Sequence, residues 1–148
     1  MRRKNQPGTE SGFSLIELLI VVAIIGIIAA IGIPQFLAGR QAARAASAVS
    51  SLRIIFTSQI SYRETRGSYG TLADLAASSY LRDPELAAGA KSQYLFVTAP
   101  GADPARSFTV TAAPVLAAGS YHHYFCDQTG VVRFAVGAAA TAASQPIQ

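Results

Sequence analysis

Gly12-Phe13-Ser14-Leu15-Ile16-Glu17-Leu18 runs straight into LLIVVAIIGIIAAIGI (residues 18–33), and after Glu17 no charge occurs before Arg40. A bilayer core of about 30 Å is crossed by about 20 helical residues, and residues 13–34 meet that length. Glu17 is the one carboxylate at the edge of this hydrocarbon. Placing it there costs roughly 3 kcal/mol on insertion scales. An ionisable group in such a place calls for a partner and a function. Arg2, Arg3 and Lys4 precede the segment, which by the positive-inside rule puts the N-terminus in the cytoplasm and the C-terminal body outside.

These residues resemble the class III leader of type IV pilins and type II secretion pseudopilins. In that family a membrane peptidase cuts after the glycine and N-methylates the new first residue. The resemblance implies cleavage between Gly12 and Phe13, methylation of Phe13, and Glu17 as the fifth mature residue. The likeness continues through Leu18 to Phe36 and includes Pro34. It implies an α+β fold of the type IV pilin kind. A long N-terminal helix (about 13–66), transmembrane in its first half, would pack on a four-stranded antiparallel sheet. The chain would divide into a leader (1–12), a hydrophobic polymerisation helix (13–36) and a headpiece (37–148). The implied partners are other pilin subunits, the prepilin peptidase, an inner-membrane assembly platform, and membrane lipid before assembly. The subunit would pass from the inner membrane to a surface filament. A type II secretion pseudopilin, or a minor pilin serving adhesion or DNA uptake, are the alternatives.

Simpler readings explain less. A secretory signal shares the basic start and apolar run, but its run is shorter and a glutamate has no role in it. A plain anchor accounts for neither Glu17 nor the Gly12-Phe13 junction. A lipoprotein needs a cysteine just past the apolar run, and the single cysteine is Cys126.

The chain has 148 residues, room for one domain, and a formal charge of +4. Removing the leader takes Arg2, Arg3, Lys4 and Glu10 with it, leaving nine basic and seven acidic residues, about +2. Arg82, Lys91, Arg106 and Arg133 are dispersed, so no nucleic acid is expected as a partner. A lone cysteine cannot close an intrachain disulfide. Many type IV pilins staple the C-terminal loop with a cysteine pair, so here packing or strand pairing must hold it.

Between Phe13 and Gly67 only Gly26, Gly32, Pro34 and Gly39 interrupt helical character. One helix over that stretch would extend about 80 Å. Pro34 deprives the carbonyl of Ala30 of its helical donor, and Gly26 and Gly32 lower propensity. In pilin-like filaments the corresponding segment unwinds, which implies melting between about Gly26 and Gln35; a kink is the simpler alternative. Beyond it Ala45, Val49, Leu52, Phe56 and Ile60 form a stripe at core-facing spacing. Ser47, Ser50, Ser51, Ser58, Ser61 and Thr65 fall opposite, with Ile54 the exception. Small hydroxyls permit close helix approach, so this face is expected to meet neighbouring subunits; a merely polar, exposed face is the alternative. Glu17 would pair with the cationic Phe13 amine of its own chain or, as the resemblance implies, of an adjacent one.

Gly67 should stop the helix. Thr71-Leu72-Ala73-Asp74 reads as a capping box for a short helix to about Ser79, and Asp83-Pro84-Glu85 opens another turn ending near Gly89. Strand patterns cover 93–99, 107–112, 121–126 and 131–136. Pro114 and Gly119 punctuate the second gap, and Asp127-Gln128-Thr129-Gly130 should turn between the last two strands. The tail 137–148 shows no periodicity.

No catalytic, cofactor or metal site is expected. His122 and His123 are adjacent in a strand and point to opposite faces. Cys126 lacks zinc spacings and reads as a small buried residue. Asp127 is the only carboxylate after Asp103, too few for a calcium cage. Six tyrosines and seven phenylalanines are scattered, as core packing requires.

Overall fold

A computed structural model describes residues 12–116 and 121–147. The expected leader (except Gly12), the expected break at Gly119 and the last tail residue lie outside the described residues. The chain divides into two compact units, Met1–Arg40 and Gln41–Gln148.

Helix α1 (Leu15–Arg66) is continuous and carries Pro34 inside it. Gly67, at φ +77°, ends it and donates its amide to the carbonyl of Arg63 at 2.8 Å. That is the left-handed stop a glycine takes without a Cβ penalty. Helix α2 (Leu72–Ala77) has Thr71 as N-cap, with the reciprocal Thr71–Asp74 capping box formed. Helix α3 (Pro84–Ala87) has Asp83 as N-cap, its carboxylate accepting from the amides of Glu85 and Leu86. Leu72, Leu75, Leu81 and Leu86 from this connection are buried in the common core.

The sheet has six strands, not the expected four, in the order β1-β2-β3-β4-β5-β6, each pair antiparallel. They are β1 (Ala90–Lys91), β2 (Tyr94–Pro100), β3 (Phe108–Pro114), β4 (His122–Asp127), β5 (Arg133–Val136) and β6 (Gln145–Pro146). The central four correspond to the expected strands. The two additional ones are edge strands of two residues each, too short to show an alternating pattern. Between β4 and β5 the Gly130 amide reaches the Asp127 carbonyl at 3.0 Å, closing the expected turn. A Cβ on Gly130 would stand 3.0 Å from the Phe56 ring, and its φ is +76°, so both room and backbone conformation require glycine.

Register puts Tyr94, Phe96 and Thr98 of β2 on one face with Phe108, Val110 and Ala112 of β3 and Tyr124 and Cys126 of β4. All are buried. All but Thr98 pack in one cluster with Ala48, Leu52 and Ile55 of α1. Ala45, Val49, Phe56 and Ile60 lie against the same cluster, partly buried.

The helix face is wider than the expected stripe. The buried arc includes Ser51, Leu52, Ile55, Ser58 and Gln59, so the stripe forms one flank of it. Ser51 and Ser58, expected to face other subunits, are only 2% and 6% exposed. The reason is geometric: at 3.6 residues per turn each lies about one turn from Ile55, on the buried arc. The Ser58 hydroxyl donates to the Tyr80 carbonyl at 2.9 Å, and Ser47 bonds Ser92, hydroxyl to hydroxyl, at 2.8 Å. The outward face of this half of α1 instead carries Ser50, Arg53, Ile54 and Thr57, the first three exposed and Thr57 exposed with them.

Gln59 is the most consequential member of the arc. Fully buried, it donates to the carbonyl of Gly70 at 2.6 Å and accepts from the amide of Gly70 at 3.0 Å. The side-chain amide thereby stands in for a strand partner and satisfies a buried backbone unit. Gly70 must itself be small, because an added Cβ would lie 3.0 Å from both the Asp74 Cβ and a Tyr62 ring carbon. Next door, Tyr69 donates its amide to Pro104 at 2.7 Å and packs its ring 4.5 Å from Phe108.

Candidate assembly segment

The first unit exposes almost everything it has. Sixteen large apolar side chains from Phe13 to Leu37 are solvent-accessible, between 43% (Val21) and 76% (Leu15). Complete burial of such side chains is worth about 1.5–3 kcal/mol each, so leaving this row in water costs on the order of tens of kcal/mol. A lipid phase or the helices of other chains must cover it. By length and composition α1 is able to cross a membrane.

Gly12 and Phe13 precede the helix and are exposed. The first turn forms at Ser14, whose carbonyl accepts from the Leu18 amide at 3.2 Å. Glu17 lies in that turn, where a carboxylate complements the partial positive charge of the helix N-terminus. Among the described residues no cation pairs with Glu17. Residues 26–35 are helical in the single chain. A Cβ added to Gly26, Gly32 or Gly39 would meet nothing within 4 Å, so no packing inside this chain requires these glycines.

In the second unit the histidines and the cysteine fall into structural places. His122 pairs across the sheet with Val136 and His123 with Ala135. The His122 ring lies 5.4 Å from that of Phe134 and 6.2 Å from that of Tyr124. Cys126 is fully buried. Burial first, and the Asp127 charge second, push its thiol up to about 11, so it stays protonated and inert at neutral pH. A shallow cleft of about 550 Å³ beside Arg63, Glu64 and Arg106 has its cations engaged. Arg63 donates to the Tyr69 hydroxyl at 3.2 Å, and Arg106 pairs with Asp103 at 3.4 Å.

The C-terminal loop is held without a disulfide. β6 pairs with β5, and the Ile147 amide donates to the Val132 carbonyl at 2.9 Å. Arg133 donates from Nη1 to the Ser144 carbonyl at 3.0 Å. Tyr124, Phe125 and Cys126 are buried in succession, so both faces of β4 are covered here. Phe125 shares its face with Arg133 by register, and that Arg133–Ser144 bond brings the tail to this outer face.

Likeness to known proteins covers only part of the chain. A family model described as the prokaryotic N-terminal methylation motif matches residues 8–33. The chain is 43% identical over 63 residues to the type IV major pilin protein PilA of Myxococcus xanthus, covering 43% of this chain and 29% of that protein. It is 56% identical over 54 residues to a fimbrial protein of Pseudomonas aeruginosa, covering 34% and 35%. With the type IV major fimbrial protein FimA of Dichelobacter nodosus it shares 53% over 47 residues, 30% of each chain. These matches span about a third of the length of the curated relatives. By this motif and these likenesses the chain is similar to type IV pilins over about a third of its length.

Proposed function

We propose that the chain is the structural subunit of a type IV pilus, a building block rather than an enzyme. The observation that carries this reading is the exposed apolar row on α1, beginning at a methylation motif. A prepilin peptidase removes residues 1–12 and methylates Phe13. Residues 13–36 then hold the subunit in the inner membrane, with 37–148 outside, until an assembly platform passes it into a surface filament. Relatives named as major pilins and major fimbrial proteins support that destination.

Glu17 is the docking residue. Lipid is as apolar as the helix, so burial alone gives no drive to leave the membrane for the filament. An ion pair between Glu17 and the Phe13 amine of an adjacent subunit supplies one, since in apolar surroundings each charge holds the other ionised. In the filament the Gly26–Pro34 segment unwinds, using the low helix propensity of its glycines and the missing donor of Pro34.

Intact mass spectrometry on filaments sheared from the cell surface, beside the membrane fraction, tests this. The expected species starts at Phe13, carries one methyl group and is abundant in the sheared material. The same species confined to membranes would instead assign a pseudopilin or a scarce minor pilin. An unprocessed chain would overturn the reading. Glu17→Ala is expected to be cleaved but not assembled, and a normal filament yield from it would remove Glu17 from the docking step.

A further inference from the structure

The first unit ends on a paired aromatic ring and cation. Residues 18–39 carry no charge, and Arg40 is the first charged residue beyond Glu17. Its guanidinium carbon stands 5.7 Å from the centre of the Phe36 ring, one helical turn back toward the apolar row. Phe36 is 64% exposed, and Arg40 is exposed beside it. Between Glu17 and Glu64 α1 carries no carboxylate. Among the described residues the ion pairs are Lys91–Asp83 and Arg106–Asp103, so no carboxylate compensates Arg40. A guanidinium laid over an exposed ring has one face covered and its N–H donors free at the edge.

Distance along this one helical segment fixes the depth of the pair. About 20 residues counted from Phe13 bring the far edge of the hydrocarbon near Ile33. Phe36 then lies about 5 Å beyond that edge and the Arg40 backbone about 10 Å beyond it. The headgroup layer on each side of a bilayer is about 5–8 Å deep. The Arg40 stem makes up the difference. It runs back toward Phe36, as helical side chains lean toward the N-terminus, and so returns the charge to the level of the phosphates. An aromatic ring suits that level as well.

We infer that Arg40, steadied by the Phe36 ring, binds the phosphate of an anionic phospholipid headgroup on the outward side of the bilayer while the subunit is stored in the membrane. This rests on the membrane-stored stage proposed above. The guanidinium fork matches two phosphate oxygens. An anionic lipid is favoured over a zwitterionic one because it brings no cation of its own to the site. The contact sets the depth at which the apolar helix rests, and it must break when the subunit leaves for the filament.

The test uses the full chain in vesicles of equal phosphatidylglycerol and phosphatidylcholine, extracted into mild detergent, with bound lipid counted by native mass spectrometry. Wild type is expected to retain phosphatidylglycerol about fivefold over phosphatidylcholine, the usual worth of one cation at a membrane surface. Arg40→Gln should abolish the preference and Arg40→Lys should keep part of it. Phe36→Leu, which stays apolar but offers no ring face, should lower it. Arg106→Gln, which removes the same charge from an exposed hairpin, should leave it intact. Millimolar inorganic phosphate should not displace the lipid. The inference is overturned if Arg40→Gln keeps the wild-type preference, if Arg40→Lys loses it completely, if Phe36→Leu leaves it unchanged, or if Arg106→Gln loses it as fully as Arg40→Gln. Displacement of the lipid by inorganic phosphate would also overturn it, by marking a free-anion site. A chain that does not enter vesicles at all would overturn the storage stage as well.

Discussion

Replacing Gln59 by leucine should cost far more than its conservative volume suggests. The side chain is fully buried and bonds both the amide and the carbonyl of Gly70, itself buried. Leucine keeps the bulk but leaves that amide and carbonyl without partners in a site that admits no bulk water. Each unsatisfied buried group costs about 1–3 kcal/mol, so two give about 2–6 kcal/mol, against a total domain stability of about 5–15 kcal/mol. Some relief comes from the added apolar contact, and we expect a net loss of about 3 kcal/mol. Urea titration of the full chain in detergent micelles, followed by tyrosine fluorescence, measures it. Hydrogen exchange at the Gly70 amide provides the local readout, since that proton loses its acceptor. A loss below about 1 kcal/mol, the size of one ordinary hydrogen bond, would refute the clamp. The proposed leader cleavage should be unaffected, because its site lies in the other unit.

Two further outcomes are expected. Gln93→Gly should stabilise the headpiece by up to about 1 kcal/mol, because Ser92 and Gln93 occupy the β1–β2 turn at φ 51° and 63°, where non-glycine residues are disfavoured; an unchanged urea midpoint would show that the turn is unstrained. Acid should weaken the headpiece: Asp83 is held below its ordinary value of 3.8 mainly by the Lys91 hydrogen bond, and Asp74 by the Thr71 amide and hydroxyl. Because the folded values are depressed, the stabilisation is present above the ordinary carboxylate value and is lost as pH falls through the folded ones. The Asp83→Asn urea midpoint should fall less between pH 5 and about pH 3 than that of wild type, and equal falls would exclude Asp83 from the effect.

Local chemistry is legible in the sequence itself. The Thr71–Asp74 box, the Asp83-Pro84 start and the Asp127–Gly130 turn are each specified by residues within four positions of one another, and each forms. The methylation motif is legible for the same reason, since its elements sit at fixed short spacings. The β1–β2 turn is hidden because neither Ser92 nor Gln93 is the glycine or asparagine that usually marks such a turn. β1 and β6 exist only through pairing with their neighbour strands, which no pattern of two residues can announce. The serine face misleads because a small hydroxyl suits a close neighbour of either kind, and here the neighbours of Ser51 and Ser58 belong to the same chain. Gln59 carries a usable signal: it stands four residues after Ile55 and seven after Leu52, in the middle of an apolar arc. A polar residue there implies a backbone unit needing a partner.

The noncovalent fastening of the C-terminal loop has a consequence for how the subunit matures. With Cys126 alone and shut away, and the tail tied down by strand pairing and the Arg133–Ser144 bond, no thiol chemistry stands between synthesis and a finished headpiece. There is no wrong pairing to undo and no need for an oxidising compartment or its catalysts. A headpiece that unfolds and refolds meets the same conditions each time, its loop able to open and close without leaving a covalent record.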